Sequence, residues 1–306
     1  MNDERFGLPL LEAARRAGVT IAAPQREPAD RWIDLRGLRF HYLDWGGEGL
    51  PWMLCLHGAA QNAHMWDFTA LALCTRYHIL ALDQRGHGDS SWAPDGDYSL
   101  DAFIADLDAF VSTLGLKDIT LVGLSMGGRN AFVYASRYPH NVRALVVADT
   151  GPEINRAGGD RIGRFMAMED VLDSFEEFVE RNLRHNPLRP AWMVRGSLRH
   201  NLVQRPDGRW TWKYDPAFRD PTRRTRRVAN SDALWEAWRS LRCPVLLVRG
   251  GESDVLAPQT AQRMVETLPQ CRLVTIPRAG HLVPGDNPPA WEKAVTAFLA
   301  EVSATR

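Results

Sequence analysis

Long apolar runs are missing from this chain. No stretch approaches the length that a membrane-spanning helix needs, so a soluble protein with no membrane partner is expected. Charge of one sign is missing too: 37 Lys and Arg balance 37 Asp and Glu to a formal net charge of zero. That leaves no long-range field for nucleic acid or an anionic surface, and points to a small neutral or weakly charged molecule as the partner. Cysteine is scarce. Cys55, Cys74, Cys243 and Cys271 are scattered without CxxC spacing and read as reduced core residues of a cytoplasmic protein. Neither a metal-ligand cluster at recognisable spacing nor a dinucleotide fingerprint is visible, so no cofactor and no metal is expected. The N-terminus, Met1 to Arg5, carries acids and has no apolar h-region behind it, unlike a secretory signal. Internal repeats and low-complexity tracts are absent, and nothing in the sequence bears on oligomeric state.

What is present is 306 residues with 45% hydrophobic and 24% charged content, enough for one large core or a core with an insertion. Strand and helix signals alternate, the pattern of a mainly parallel sheet with helices on both faces, an α/β fold. Residues 31–36 and 38–44 alternate around Gly37 as an opening hairpin. Short apolar runs at 52–56, 77–82, 119–122, 144–148, 245–248 and 272–276 read as buried parallel strands, with helices expected over 100–114, 258–268 and 289–302. The interval 152–241 breaks the rhythm: it has amphipathic helical patterns, no buried-strand run, and Trp192, Trp210, Trp212, Trp235 and Trp238. It reads as a mostly helical lid inserted into a core made of 31–151 and 242–306. Pro206 to Arg209 followed by Trp210 to Tyr214 predicts a turn and strand within it. Residues 1–30 form an extension with a short helix near Leu10 to Arg16 and no assigned task.

The most informative segment is Gly123-Leu124-Ser125-Met126-Gly127, directly after a β-branched apolar run and before a helical stretch. A serine at the tip of a sharp strand-to-helix turn needs small residues two before and two after it, so Ser125 reads as an exposed nucleophile. A serine hydroxyl attacks only when a base takes its proton and an acid orients that base. Asp254 and His281 supply both, each in a loop at the carboxyl end of a predicted strand, where an open α/β sheet places its site. The order Ser125, Asp254, His281 is that of an elbow-type hydrolase. Asp149, ending the strand 144–148, is the alternative acid, and Glu252 a weaker one. His57, before the tight turn at Gly58, more often satisfies backbone groups than acts as a base.

With Leu56-His57-Gly58-Ala59, Asp83 to Ser90, the elbow, the Asp254 loop and Gly280-His281 in this order, the chain resembles the α/β-hydrolase superfamily over about residues 31 to 302. The resemblance implies an oxyanion hole from the backbone N–H groups of Ala59 and Met126. It leaves His64, Trp66, Arg129, Trp192 and Trp212 as candidate substrate contacts, although Trp66 at that spacing is equally a core residue. Arg85 and His87 are expected to brace the Gly86 and Gly88 loop. The Arg223 to Arg227 run reads as a solvated face, with attraction of a carboxylate as the rival. Trp235 and Trp238 fit either a substrate wall or docking of the lid.

A serine at the elbow argues against the dehalogenases and epoxide hydrolases of this fold, which carry aspartate there. The absence of His-Gly-Pro-Gly lowers C–C hydrolases and proline iminopeptidases. The expected activity is hydrolysis of a carboxylic ester or lactone of a small, hydrophobic substrate through an acyl-enzyme. The alternatives are a C–C hydrolase, a pyruvate-eliminating lyase whose elbow also carries an arginine four residues on, as Arg129 does, and a non-catalytic ligand receptor.

Overall fold

Short apolar runs become strands here because helices cover both faces of the sheet they form. The computed structural model describes residues 4–220 and 230–304. Its strands are β1 (Ala29–Leu35), β2 (Leu38–Asp44), β3 (Trp52–Leu56), β4 (His78–Leu82), β5 (Ile119–Leu124), β6 (Val142–Ala148), β7 (Val171–Leu172), β8 (Leu202–Gln204), β9 (Trp210–Trp212), β10 (Val245–Gly250) and β11 (Cys271–Ile276). Eight of them form one sheet in the order β1-β2-β4-β3-β5-β6-β10-β11, parallel from β4 to β11, with β1 and β2 antiparallel at the edge. The β1–β2 hairpin turns at Arg36 and Gly37, both left-handed (φ 51° and 78°).

The helices are α1 (Leu10–Ala17), α2 (Asp67–Leu73), α3 (Leu100–Thr113), α4 (Met126–Arg137), α5 (Arg156–Met166), α6 (Phe175–His185), α7 (Ala191–Asn201), α8 (Ser231–Arg239), α9 (Pro258–Glu266), the single turn α10 (Val283–Asp286) and α11 (Pro288–Ala304). Side chains alternate along each strand. In β10, Val245 and Leu247 join a core with Phe110 of α3, Phe132 of α4 and Met264 of α9, while Leu246 and Val248 join one with Leu71 of α2 and Trp291 of α11. A strand buried on both faces has no polar alternation to show, so it reads as a continuous apolar run. Among the described residues no helix is long and apolar enough to cross a membrane.

Between β6 and β10 the chain leaves the sheet. Helices α5 to α7 and the antiparallel sheet β7-β9-β8 share a separate apolar cluster that includes Phe175, Phe178, Leu198 and Trp212. The β8 and β9 strands flank a turn with Gly208 at φ 84°. The expected lid boundary at 241 needs correction. Helix α8 lies with the core, where Trp235 and Trp238 are buried in the sheet-face cluster. Trp238 meets Phe132 edge-on at 5.7 Å and donates through Nε1 to the Met264 carbonyl (2.9 Å). The two tryptophans therefore dock α8 and form no substrate wall. The Arg223 to Arg227 run lies outside the described residues.

The N-terminal extension is stitched to both bodies. Phe6 packs edge-on against Phe175 (4.9 Å) and at a tilt against Trp210 (5.7 Å) of the inserted segment. Ala14 and Val19 are buried beside α2 and α11, and the Thr20 amide donates to Glu292 of α11 (2.9 Å). Gly7 lies so close to α7 that a Cβ would sit 2.6 Å from the Gly196 nitrogen.

Because Trp238 is fully buried and its N–H is paired, Trp238→Ala is expected to destabilise the protein by about 3–5 kcal/mol. Urea unfolding checks this, and a loss under about 1 kcal/mol would show that α8 contributes little to the core.

Candidate active site

The strand-to-helix turn after β5 dictates the geometry of the site. Ser125 adopts φ 53°, ψ −116°, at the head of α4. A Cβ on Gly123 would lie 2.4 Å from the Gly127 carbonyl oxygen, and one on Gly127 would lie 2.2 Å from the Leu56 carbonyl oxygen. Any larger residue at either position would push the turn open or drive α4 off β3. The Ser125 hydroxyl is thereby lifted out of the sheet into a cavity of about 380 Å³.

Ser125 Oγ lies 2.9 Å from His281 Nε2. The other ring nitrogen, Nδ1, is 2.8 Å from Oδ2 of Asp149. The expected pairing of His281 with Asp254 is therefore corrected: the structure gives that place to Asp149, the alternative acid. Asp149 follows β6 in a left-handed conformation (φ 48°) and has no solvent exposure. Its Oδ1 accepts from the Gly250 amide (3.0 Å), and its Oδ2 also accepts a short hydrogen bond from the Ser253 hydroxyl. Three donors on a buried carboxylate replace the water it has lost.

Asp254 turns the other way. Arg161 of α5 grips it in a two-pronged ion pair (2.7 and 2.8 Å), which holds the Asp254 carboxyl below its usual range. The backbone is committed as well: a Cβ on Gly158 of α5 would sit 2.2 Å from the Asp254 carbonyl oxygen. Asp254 thus fastens the inserted segment to the β10 loop. Adjacent residues of that loop point to opposite sides, and Ser253 takes the inward one. Glu252 is exposed at the cavity edge.

His57 is fully buried and braces the loop after β3: its Nδ1–H donates to Gly58 O (2.8 Å) and its Nε2 accepts from the Gln84 amide (2.9 Å). Burial holds its pKa below the usual value, so it stays neutral in that tautomer. Ala59 lies on the cavity wall, and Met126 is the first residue of α4, where a helix has no internal acceptor for the N–H. Arg85 pairs with the buried Asp106 (Nη2 to Oδ1, 2.8 Å), and His87 faces the Arg85 carbonyl (Nδ1 to O, 3.0 Å).

Of the candidate contacts, Trp212 lines the cavity that holds Ser125. His64 and Trp192 line a neighbouring cavity instead. Trp66 has no exposure and packs on Trp291 in the core. Arg129 is not on the cavity wall; its Nε is buried without a hydrogen-bond partner among the described residues, and burial pushes its pKa down to about 10. Phe165, Asn182, His185 and Leu198 of α5 to α7 do line the cavity and were not singled out from sequence. The amphipathic pattern of the insertion is the signal that held them. Ser253 had none, since one serine beside an aspartate says nothing of direction.

Known proteins share the fold. A family model described as alpha/beta hydrolase fold matches residues 51–288. The chain is 30% identical over 309 residues to the esterase Rv0045c of Mycobacterium tuberculosis, covering 97% of this chain and 98% of the relative. A crystal structure of that esterase superimposes with a TM-score of 0.77 at 28% identity, covering 98% of this chain and 99% of the other. It is 30% identical over 256 residues to the 3-hydroxybutyrate-oligomer hydrolase of Cupriavidus necator, covering 79% of this chain and 87% of the relative. A crystal structure of an E-2-(acetamidomethylene)succinate hydrolase gives a TM-score of 0.79 at 25% identity, covering 90% of this chain and all of the other.

The cavity wall carries a pH-sensitive group. Burial, and then the neighbouring Arg161, push the His185 imidazole down from 6.5 to about 4. The unfolded chain takes up a proton near pH 6.5 that the folded chain refuses until about pH 4, so stability falls as pH drops through that window. Urea midpoints measured from neutral pH to about pH 4.5 should fall in the wild type and fall less steeply in His185→Gln. Equal slopes would remove His185 as a cause.

Proposed function

Because the chain belongs to the α/β-hydrolase fold family, we propose that it is a serine hydrolase that cleaves a carboxylic ester or lactone through an acyl-enzyme. The observation that carries this reading is the continuous hydrogen-bonded path from Ser125 Oγ through His281 to Asp149, at 2.9 and 2.8 Å. In it, Ser125 Oγ attacks the substrate carbonyl carbon while its proton passes to His281 Nε2. Asp149 keeps the Nδ1 proton in place and offsets the charge of the imidazolium that forms. The carbonyl oxygen, now an oxyanion, accepts hydrogen bonds from the Ala59 and Met126 backbone N–H groups, each worth on the order of 3 kcal/mol to the transition state. Collapse expels the alkoxide, which takes the proton from His281. A water molecule then gives its proton to the same nitrogen, attacks the acyl-serine and releases the acid, restoring Ser125.

The cavity supports a small or medium-sized substrate with an apolar part. Phe165, Leu198 and Trp212 supply apolar wall, and Asn182 and Asn201 supply hydrogen-bonding groups. The inserted segment acts as a lid in this reading, since α5, α6 and α7 cover the serine, and the Arg161–Asp254 pair is its fastening. Relatives named as an esterase and as a 3-hydroxybutyrate-oligomer hydrolase point the same way. The lyase alternative drew on Arg129, which does not border the cavity and so lends it no support.

The test is hydrolysis of p-nitrophenyl esters of graded chain length and of simple lactones. Turnover should vanish in Ser125→Ala and drop by about 10⁴ in Asp149→Asn, where the histidine loses its orienting acceptor. Asp254→Asn should keep kcat within about tenfold, since it loosens only a partly exposed ion pair. An Asp254→Asn variant as inactive as Ser125→Ala would overturn the assignment of the acid, and a wild type inactive on every ester and lactone would overturn acyl transfer.

A further inference from the structure

A second cavity of about 110 Å³ lies between α7 and the segment that follows the Gly58 loop. Three side chains meet on its wall. His64, Asp67 and His200 each offer one ligand atom, and the three atoms lie within 4.8 Å of one another. His200 is remote from the other two in sequence, so no spacing motif announces the group.

One member offers an open ligand atom as it stands. Asp67 is only 8% exposed, yet its Oδ1 has no hydrogen-bond partner among the described residues. A buried carboxylate oxygen in that state is an open acceptor. His64 Nδ1 and Asp67 Oδ2 are 3.0 Å apart. A cation with bonds of about 2.1 Å to both would see them at roughly 90°, an angle that first-row divalent ions accept. The His64 and His200 rings are stacked, with centroids 3.6 Å apart. To point at one ion they must turn apart, and the cavity lies beside both. Arg199 near Asp67 and Lys213 near His200 work against a cation.

We infer that His64, Asp67 and His200 bind one divalent transition-metal ion of the zinc class, and that the ion ties α7 to the segment after the Gly58 loop. Two imidazoles and one carboxylate favour zinc, cobalt or nickel over calcium and magnesium, which prefer oxygen shells. The tie follows from position: His200 belongs to the inserted segment, and His64 and Asp67 to the sheet side. Asn62 already joins the two parts there, donating to the His200 carbonyl (2.8 Å) and to Asn201 Oδ1 (2.9 Å). The ion would add a stronger link beside a weaker one.

The experiment titrates chelator-treated full-length protein with Zn²⁺ against a chromophoric chelator, and follows thermal unfolding with and without one equivalent. Wild type should bind one equivalent and unfold a few degrees higher when loaded. His200→Ala and His64→Ala should bind Zn²⁺ about tenfold or more weakly and lose the thermal shift, while His140→Ala, an exposed histidine off the cavity wall, should match wild type. Circular dichroism of the metal-free variants checks that they are folded. Wild type that binds no Zn²⁺ would overturn the inference, as would binding or a thermal shift that survives both substitutions, the result expected if His281 were the ligand. No ester turnover is read, so the outcome is independent of the acyl-transfer reading.

Discussion

A carboxylate without solvent must be solvated by the protein, and the buried Asp149 is the group around which the site is assembled. Its oxygens draw in the Gly250 amide at the end of β10, the Ser253 hydroxyl of the next loop and the His281 ring beyond β11. The three donors come from three places in the chain, so the acid fixes the relative positions of β6, β10 and the histidine loop. Removing a single donor leaves charge in a dry place, which costs far more than an ordinary hydrogen bond. The arrangement of the site is in this sense an outcome of solvating one charge.

The elbow imposes the complementary constraint from the other side. Gly123 and Gly127 let α4 run close against β3, and Ser125 bears the left-handed backbone that results. The strain is sustained because the buried strand β5 and helix α4 hold the turn from both ends. Electrostatics thus place Asp149 and His281, while sterics place the Ser125 hydroxyl, and they converge at 2.9 Å. The Arg161–Asp254 pair and the Asn62 bonds then hold the inserted segment over that meeting point.

The sheet was legible in the sequence because strands buried on both faces cannot be polar. The runs at 52–56, 119–122 and 245–248 lie within strands that extend them by at most two residues. The turn after β5 was legible because its sterics tolerate few spellings. The acid was not. Asp149 and Asp254 both follow parallel strands, and what separates them is non-local: Arg161 pulls one outward, while Ser253 and Gly250 hold the other inward. Trp66 and Trp192 fail for a similar reason, since aromatic spacing is the same for a core residue, a ring beside Arg16 and a cavity wall. Helix α8 was misplaced because its amphipathic pattern states that it docks and leaves open on what.

The extension before β1 bears on how the molecule is made. Its contacts with α7, with the β9 ring of Trp210 and with Glu292 of α11 span nearly the whole chain. During synthesis residues 6–20 leave the ribosome long before any of those partners exists, and the last partner comes with α11. Phe6 therefore travels exposed while the sheet assembles, and ordering so distant a pair of segments is slow. A segment made before the sheet is thus among the last to complete its contacts.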